Sequence, residues 1–187
     1  MQKHGKAAGR PPFTLTAHHF RKEPVNQMTK ERIIGQIITA LSADLALFST
    51  AARAAHEAAT HEECLPDNKY DTTALEASYI AQGQANRAQE IRAALECYRT
   101  LALQTFDDET PIRLTALVTL EDGEGNVRRL FLGPLAGGMR IADGDGEIVV
   151  ITPGSPLGRS LLGLRTGDEV KAGDAAAAAP FTIVAVC

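Results

Sequence analysis

The chain lacks several features that mark common functional classes. Its 187 residues include no tryptophan and only three cysteines, Cys64, Cys97 and Cys187, which are far apart in sequence. An odd number of scattered cysteines is not a disulfide framework, so we expect a reduced, cytoplasmic setting. We see no apolar run that approaches the roughly 20 residues needed to span a membrane. We therefore expect no membrane partner.

The sequence also lacks the patterns of common catalytic and nucleic-acid-binding proteins. It contains no phosphate-binding glycine loop and no serine, histidine and aspartate set in a supporting context. The net charge of -4 argues against a protein that wraps nucleic acid through its own charge, because such proteins carry an excess of lysine and arginine. A partner that itself handles nucleic acid is compatible with this charge.

Residues 1–27 differ from the rest of the chain. They contain Pro11, Pro12 and Pro24 and show no helical periodicity or signal-peptide core. The composition favours a disordered tail. Two alternatives are an extension of the reading frame upstream of Met28 and a tail with a function of its own.

Residues 28–105 predict a long antiparallel α-helical hairpin. A first amphipathic helix runs from Thr29 to about His61, and a second runs from Thr72 to about Gln104, with a break at Pro66. Each helix has roughly 32 residues and would be about 50 Å long, with the tip of the hairpin near 62–70. The residues expected on the inner faces are Ile33, Ile37, Leu41, Leu45, Phe48 and Ala52 in the first helix, and Leu75, Tyr79, Gln82 or Gly83, Ile91, Leu95, Tyr98 and Leu101 in the second.

Residues 111–187 predict a β-rich domain, because the apolar period changes to two after Pro111. A short helix interrupts the strands: Ser155 is its N-cap, Pro156 occupies its first position and Gly163 closes it. The chain is therefore predicted to be α+β, with a coiled-coil finger followed by a β-rich domain. The expected strands cover 112–120, 127–132, 139–142, 147–152, 169–172 and 181–186.

The short helix and the turn that follows it carry a resemblance to a known family. Residues 155–163, read with the Gly167-Asp168-Glu169-Val170 step, resemble the FKBP-like C-terminal domain of the Gre (GreA/GreB) family of bacterial transcription elongation and transcript-cleavage factors. Asp67-Asn68-Lys69-Tyr70 is similar to the tip sequence of the same family. The resemblance covers about residues 30–187 and leaves the N-terminal segment unexplained.

The resemblance implies an accessory factor, not an enzyme, that binds bacterial RNA polymerase at its secondary channel. The β-rich domain would dock on the channel rim, and the finger would reach nascent RNA in the active centre. The factor would act as a monomer without a cofactor of its own, and Asp67 and Glu63 would help to hold a second Mg²⁺ of the polymerase for RNA cleavage. The residues expected to contact the polymerase are Asn68, Tyr70, Ser155, Pro156, Arg159, Leu161 and Leu162.

The tip departs from the family pattern at Cys64 and in the spacing after Asn68, which is one residue shorter than is common in the family. Cys64 stands where the first acidic residue is expected, and Asp67 matches the second. Glu63 would have to replace the missing acid, and Asp67 could alternatively be a turn residue. Two outcomes therefore stay open: stimulation of RNA cleavage, or a non-cleaving regulator that occupies the channel.

A third interpretation belongs to a different class of protein. The β-rich domain could be an FKBP-like binding or folding module that self-associates through its hairpin. Only Phe131 and Phe181 supply phenylalanine rings in this domain, which argues against a proline-binding pocket.

Overall fold

The structure, a computed structural model, describes residues 27–60, 73–144, 146–171 and 180–187. Residues 1–26, including nearly all of the predicted tail, lie outside the described residues. The helices and strands are α1 (Gln27–Thr60), α2 (Thr73–Arg99), β1 (Leu117–Glu121), β2 (Val127–Leu132), β3 (Arg140–Asp143), β4 (Gly146–Ile151), α3 (Pro156–Leu161), β5 (Glu169–Lys171) and β6 (Pro180–Val186).

Helices α1 and α2 pack against each other in antiparallel orientation. The start of α1 shares a hydrophobic cluster with the end of α2, whereas His56, near the end of α1, lines a small pocket with Ser78 and Gln82, near the start of α2. The predicted α+β class, with a helical hairpin before a β-rich part, is therefore confirmed. The paired residues at the base are Ile33, Ile37 and Leu41 from α1, and Ile91, Leu95 and Tyr98 from α2.

The inner face of α2 differs from the expected one near its start. Leu75 and Tyr79 are 53 % and 69 % exposed, so they do not face α1. The small residues Ala81, Ala85 and Ala88 are buried or half-buried in their place. Side chains three and four apart share a helix face, and an alanine stripe can fill the inner face as well as larger residues can. The predicted inner face is therefore wrong in the first half of α2, where Gln82 and Gly83 are exposed too, and right at Ile91, Leu95 and Tyr98.

The strands form one mixed six-stranded sheet in the order β3-β4-β2-β1-β6-β5. Strands β2 and β4 are parallel, and every other neighbouring pair in this sheet is antiparallel. The sheet separates two hydrophobic clusters. One face packs against the base of the hairpin through Leu117, Phe131 and Val150, and the other packs against α3 through Leu130 and its neighbours.

Strand β1 begins five residues later than the alternation predicts. Thr115 has a backbone φ of 73°, which breaks the extended conformation ahead of Leu117. This left-handed conformation is unusual for a β-branched residue, and two hydrogen bonds hold it. The Thr115 N–H donates to Leu132 O at 2.8 Å, and Gln104 N donates to the Thr115 hydroxyl oxygen at 3.0 Å.

Helix α2 ends at Arg99, before the predicted end near Gln104. Gln104 instead lies in the linker that runs from α2 to the sheet. The Lys30 ammonium donates to Gln104 O at 2.7 Å and lies 4.3 Å from the centre of the Phe106 ring. The linker is therefore fixed to the first turns of α1.

Among the described residues, one helix is long and apolar enough to cross a membrane by length and composition. The segment Lys30–Ala58 contains an 18-residue window with a mean hydropathy of 1.5. The mean hydropathy of this window is high although no long uninterrupted apolar run is present, because the alanines and the isoleucine pairs offset the single polar residues. Ile33, Ile37 and Leu41 of this segment pack against α2 and the sheet, and 17% of the window is buried.

Candidate partner-docking surface

The short helix α3 is seated on the backbone of Thr152. The Ser155 hydroxyl donates to Thr152 O at 2.8 Å and accepts from Gly158 N at 3.0 Å, which caps the helix. Pro156 fits the first helical position, where no backbone donor is needed. A Cβ on Gly158 would lie 1.9 Å from Thr152 O, so only glycine permits this approach.

The residues after α3 also have structural roles. Gly163 has a φ of +85°, and its N–H donates to Ile112 O at 2.9 Å. Gly167 has a φ of +95°, and the Asp168 carboxylate accepts from Arg165 N at 2.7 Å to close the next turn. Much of the pattern that carries the family resemblance is therefore required by local structure, and it is a better signal for fold than for function.

Of the five docking residues predicted around α3, three are exposed and two are wholly or partly buried. Pro156, Arg159 and Leu162 are exposed, with Leu162 at 40 %, and the Arg159 side chain donates to Gly154 O. Ser155 is half-buried and occupied as the cap. Leu161 is fully buried in the cluster beneath α3, so its side chain supports the helix from inside and is not available to a partner.

A groove beside α3 was not found by sequence reasoning. It has a volume of about 790 Å³ and lies against the face of the sheet that α3 partly covers. Its size falls within the range of binding clefts. The apolar part of its lining consists of Leu120, Val127, Leu130, Val149, Ile151 and Leu157.

The rim of the groove carries arginine side chains. The Arg128 guanidinium lies 4.9 Å from the centre of the Phe181 ring, and Arg140 pairs with the exposed Glu147 at 2.6 Å. Arg129 also lines the groove, but its guanidinium binds Asp143. An apolar floor with a cationic rim can receive an apolar side chain that is flanked by acidic residues. The groove depends on the parallel pairing of β2 with β4, which could not be predicted from the sequence.

The predicted tip residues Glu63, Asp67, Asn68 and Tyr70 lie outside the described residues. Thr60 and Thr73, which flank them in sequence, belong to the end of the hairpin remote from the sheet. Within the four described ranges, no group of three histidine, cysteine, aspartate or glutamate side chains could hold a metal ion.

The described residues thus define an α+β protein with a helical hairpin on one face of a mixed sheet and a groove on the other. No protein-family model and no curated protein matches the chain. Several solved structures are similar to it, three of which are as follows. GreA factor homolog 1 (Gfh1) of Thermus thermophilus has 20% identity and a TM-score of 0.35, over 84% of this chain and 94% of that one. Gfh1 of Thermus aquaticus has 22% identity and a TM-score of 0.34, over 81% and 92%.

The third is the prokaryotic transcription elongation factor GreA/GreB from Nitrosomonas europaea. It has 17% identity and a TM-score of 0.32, and the match covers 60% of this chain and 91% of that one. Superpositions with such TM-scores are loose. The description of the fold therefore rests on the chain's own helices and strands.

Proposed function

We propose that this protein is a cytoplasmic accessory factor that binds bacterial RNA polymerase and regulates transcription elongation. The observation that carries the proposal is that the chain combines a long helical hairpin with the sequence pattern that resembles the Gre family. A long hairpin leaves one face of the sheet, and the Ser155–Val170 pattern, which resembles the Gre family, lies on the other face, where Leu157 also lines the groove. Of the solved structures described above, the one from Nitrosomonas europaea is named as a transcription elongation factor, and the one from Thermus thermophilus is named as a homolog of the GreA factor.

The two faces of the sheet suggest a division of labour. The groove beside α3 would hold the protein on the channel rim through Val127, Leu157 and Arg128. The hairpin extends away from the other face, and residues 42–60 of α1 alone span about 28 Å. If the protein is held at the rim of the channel, this outer part of the hairpin would extend into the channel.

The binding half of the proposal is tested with purified RNA polymerase core and groove variants. We expect Val127→Asp and Arg128→Glu to weaken binding at least tenfold, because the first puts a charge on the apolar wall and the second reverses the cationic rim. Leu135→Asp is the matched control, since Leu135 is as exposed as Val127, at 41 % against 44 %, but is not part of the groove lining. Absence of polymerase binding by the parent protein at micromolar concentration would refute the proposal.

The chemical half of the proposal concerns Glu63 and Asp67. If the factor stimulates cleavage, these carboxylates would contribute oxygen ligands to a second Mg²⁺ in the polymerase active centre. RNA cleavage in stalled, backtracked complexes separates the two outcomes. A cleaving factor loses its effect in Asp67→Ala and keeps it in Glu57→Ala, a control carboxylate on the exposed surface of α1. A parent protein that binds polymerase without cleaving RNA is the non-cleaving regulator.

A second candidate function has one observation in its favour. Leu75, Tyr79 and Ile80 are exposed on α2, and exposed apolar residues that lie close together are common at sites of association. A module that self-associates through the hairpin would sediment as a dimer, and Tyr79→Ser would shift it to the monomer. A parent protein that is monomeric at micromolar concentration removes this candidate.

A further inference from the structure

The hairpin meets the sheet through an apolar joint. Ile33 and Ile37 of α1 and Leu95 of α2 share one cluster with Phe131 and Ile148 of the sheet. Apolar packing is non-directional and depends mainly on the area removed from water. Such a joint holds the hairpin on the sheet, and contacts that have defined geometry add a constraint on the direction of the hairpin.

The most buried ionic contact of this joint is centred on Asp143. Its carboxylate accepts from the guanidinium of Arg32, in the second turn of α1, and from that of Arg129, in β2. The Asp143 side chain is 11 % exposed, and one oxygen is used for each arginine. Asp143 itself ends β3, so the contact ties the hairpin to two strands at one side of the sheet.

Among the described residues, directed contacts at Lys30 and at Tyr98 also cross the joint. Lys30 donates to Gln104 O in the linker, and the Tyr98 hydroxyl donates to Leu135 O in the loop between β2 and β3. Two point contacts define an axis and leave rotation about that axis free. A third contact, at a separate place, is needed to stop this rotation.

We propose that Asp143 is a positioning residue that fixes the direction of the hairpin relative to the sheet by joining Arg32 to Arg129. Its role in transcription rests on the function proposed above, but the mechanical role does not. The part of α1 beyond the joint is about 28 Å long, so a rotation of roughly 10° at the joint would displace its far end by about 5 Å. A finger that delivers its tip into a narrow channel requires this direction to be held.

The test measures the distance between spin labels on the hairpin and on the sheet. Labels are placed at the exposed positions Thr50→Cys in α1 and Glu124→Cys in the β1–β2 turn, in a chain whose native cysteines are replaced by serine. We expect one narrow distance distribution. Asp143→Asn, which removes the charge at constant shape, should broaden the distribution at least twofold or shift its centre by several ångströms.

Two further variants make the outcome decisive. Arg32→Met removes only the hairpin side of the contact, and because the Arg32 side chain is 58 % exposed, this change leaves the core intact even if Asp143→Asn fails to fold. Glu147→Gln is the matched control, since it removes the neighbouring Arg140–Glu147 pair of the β3–β4 ladder, whose two residues line the groove on the other face of the sheet. If Arg32→Met keeps the parent distribution, the apolar joint alone sets the direction and the proposal is wrong.

The same variants separate this inference from the proposed function. The label distances need no polymerase, so they are valid whether or not the protein binds one. If both proposals hold, Arg128→Glu loses polymerase binding, whereas Asp143→Asn still binds through the groove and loses its effect on elongation. An unchanged effect on elongation, despite a broadened distance distribution, would show that the direction of the hairpin is irrelevant to the activity.

Discussion

The hydroxyl of Tyr98, in the last turns of α2, donates a hydrogen bond of 2.7 Å to the backbone oxygen of Leu135. Burial raises the pKa of the Tyr98 phenol above its ordinary range, so the hydroxyl keeps its proton and acts as a donor. Tyr98 is therefore both an apolar member of the joint and one of its directional contacts.

Removing only this hydroxyl should weaken the protein. We expect Tyr98→Phe to lower the free energy of unfolding by about 1 kcal/mol, because the Leu135 oxygen loses its donor while the ring stays packed. Denaturant titration measures the change. Tyr79→Phe is the control, since Tyr79 is 69 % exposed, and it should change stability by less than about 0.5 kcal/mol. Equal stability of Tyr98→Phe and the parent would contradict this role.

Lys30 should make the stability of the fold depend on alkaline pH. Burial lowers its pKa from 10.5 to about 8, and interaction with Cys187 partly opposes the lowering. Between pH 8 and 10.5 the unfolded chain therefore binds more protons than the folded one, so stability rises with pH in this window. After allowance for solvent screening, we expect a rise on the order of 1–2 kcal/mol.

Substitution of Lys30 isolates this contribution. Lys30→Met should abolish the rise, so that the difference in unfolding free energy between parent and variant changes between pH 7.5 and pH 10. Lys171→Met, at an exposed position in β5, should show no such change. Chemical denaturation at both pH values provides the measurement. A pH dependence that survives in Lys30→Met would assign it to another group.

Gly158 should tolerate no side chain. Alanine at this position would place its Cβ 1.9 Å from Thr152 O, which is backbone and cannot turn away. We expect Gly158→Ala to lower the free energy of unfolding by about 3 kcal/mol or more and to displace α3. Gly154→Ala, two residues beyond Thr152 and with no atom within 4 Å of the added Cβ, should be far milder. Similar effects of the two variants would disprove the steric explanation.

At two glycines in the hairpin, replacement by alanine should stabilise the protein. Gly35 in α1 and Gly83 in α2 lie in helix interiors, and an added Cβ meets no atom within 4 Å at either. Each replacement by alanine should raise the free energy of unfolding by about 0.5–1 kcal/mol through the lower entropy of the unfolded chain. A loss of stability at either position would indicate a contact that the hairpin makes through that surface.

The elements that the sequence predicted best are those specified by neighbouring residues. Helix α3 was predicted within one residue because Ser155, Pro156 and Gly163 determine its two ends locally. The class of fold followed from the change in apolar period. Similarly, the short turn between β1 and β2 is stabilised by a hydrogen bond within the turn, since the Asp122 carboxylate accepts from Asn126 N at 2.8 Å.

The features that sequence reasoning missed depend on contacts between distant residues. The conformation of Thr115 is held by Leu132 and Gln104, neither of which is adjacent to it. Leu161 and Leu162 are consecutive apolar residues, and only the packing of α3 on the sheet decides that one is buried and the other exposed. The groove similarly requires β2 to lie beside β4, which no local pattern specifies.

The pairing of β1 with β6 has a consequence for how the chain acquires its structure during synthesis. Val118 pairs with Val186, nearly 70 residues later in the chain, whereas each helix of the hairpin is built from hydrogen bonds between residues four apart. Closing a long loop is slow relative to forming helices. On the ribosome the hairpin can therefore form first. The edge of β1 that pairs with β6 stays unpaired until β6 has been synthesised. A nascent chain stalled before residue 180 should carry a formed finger on an unfinished sheet, and this intermediate is the one most exposed to aggregation.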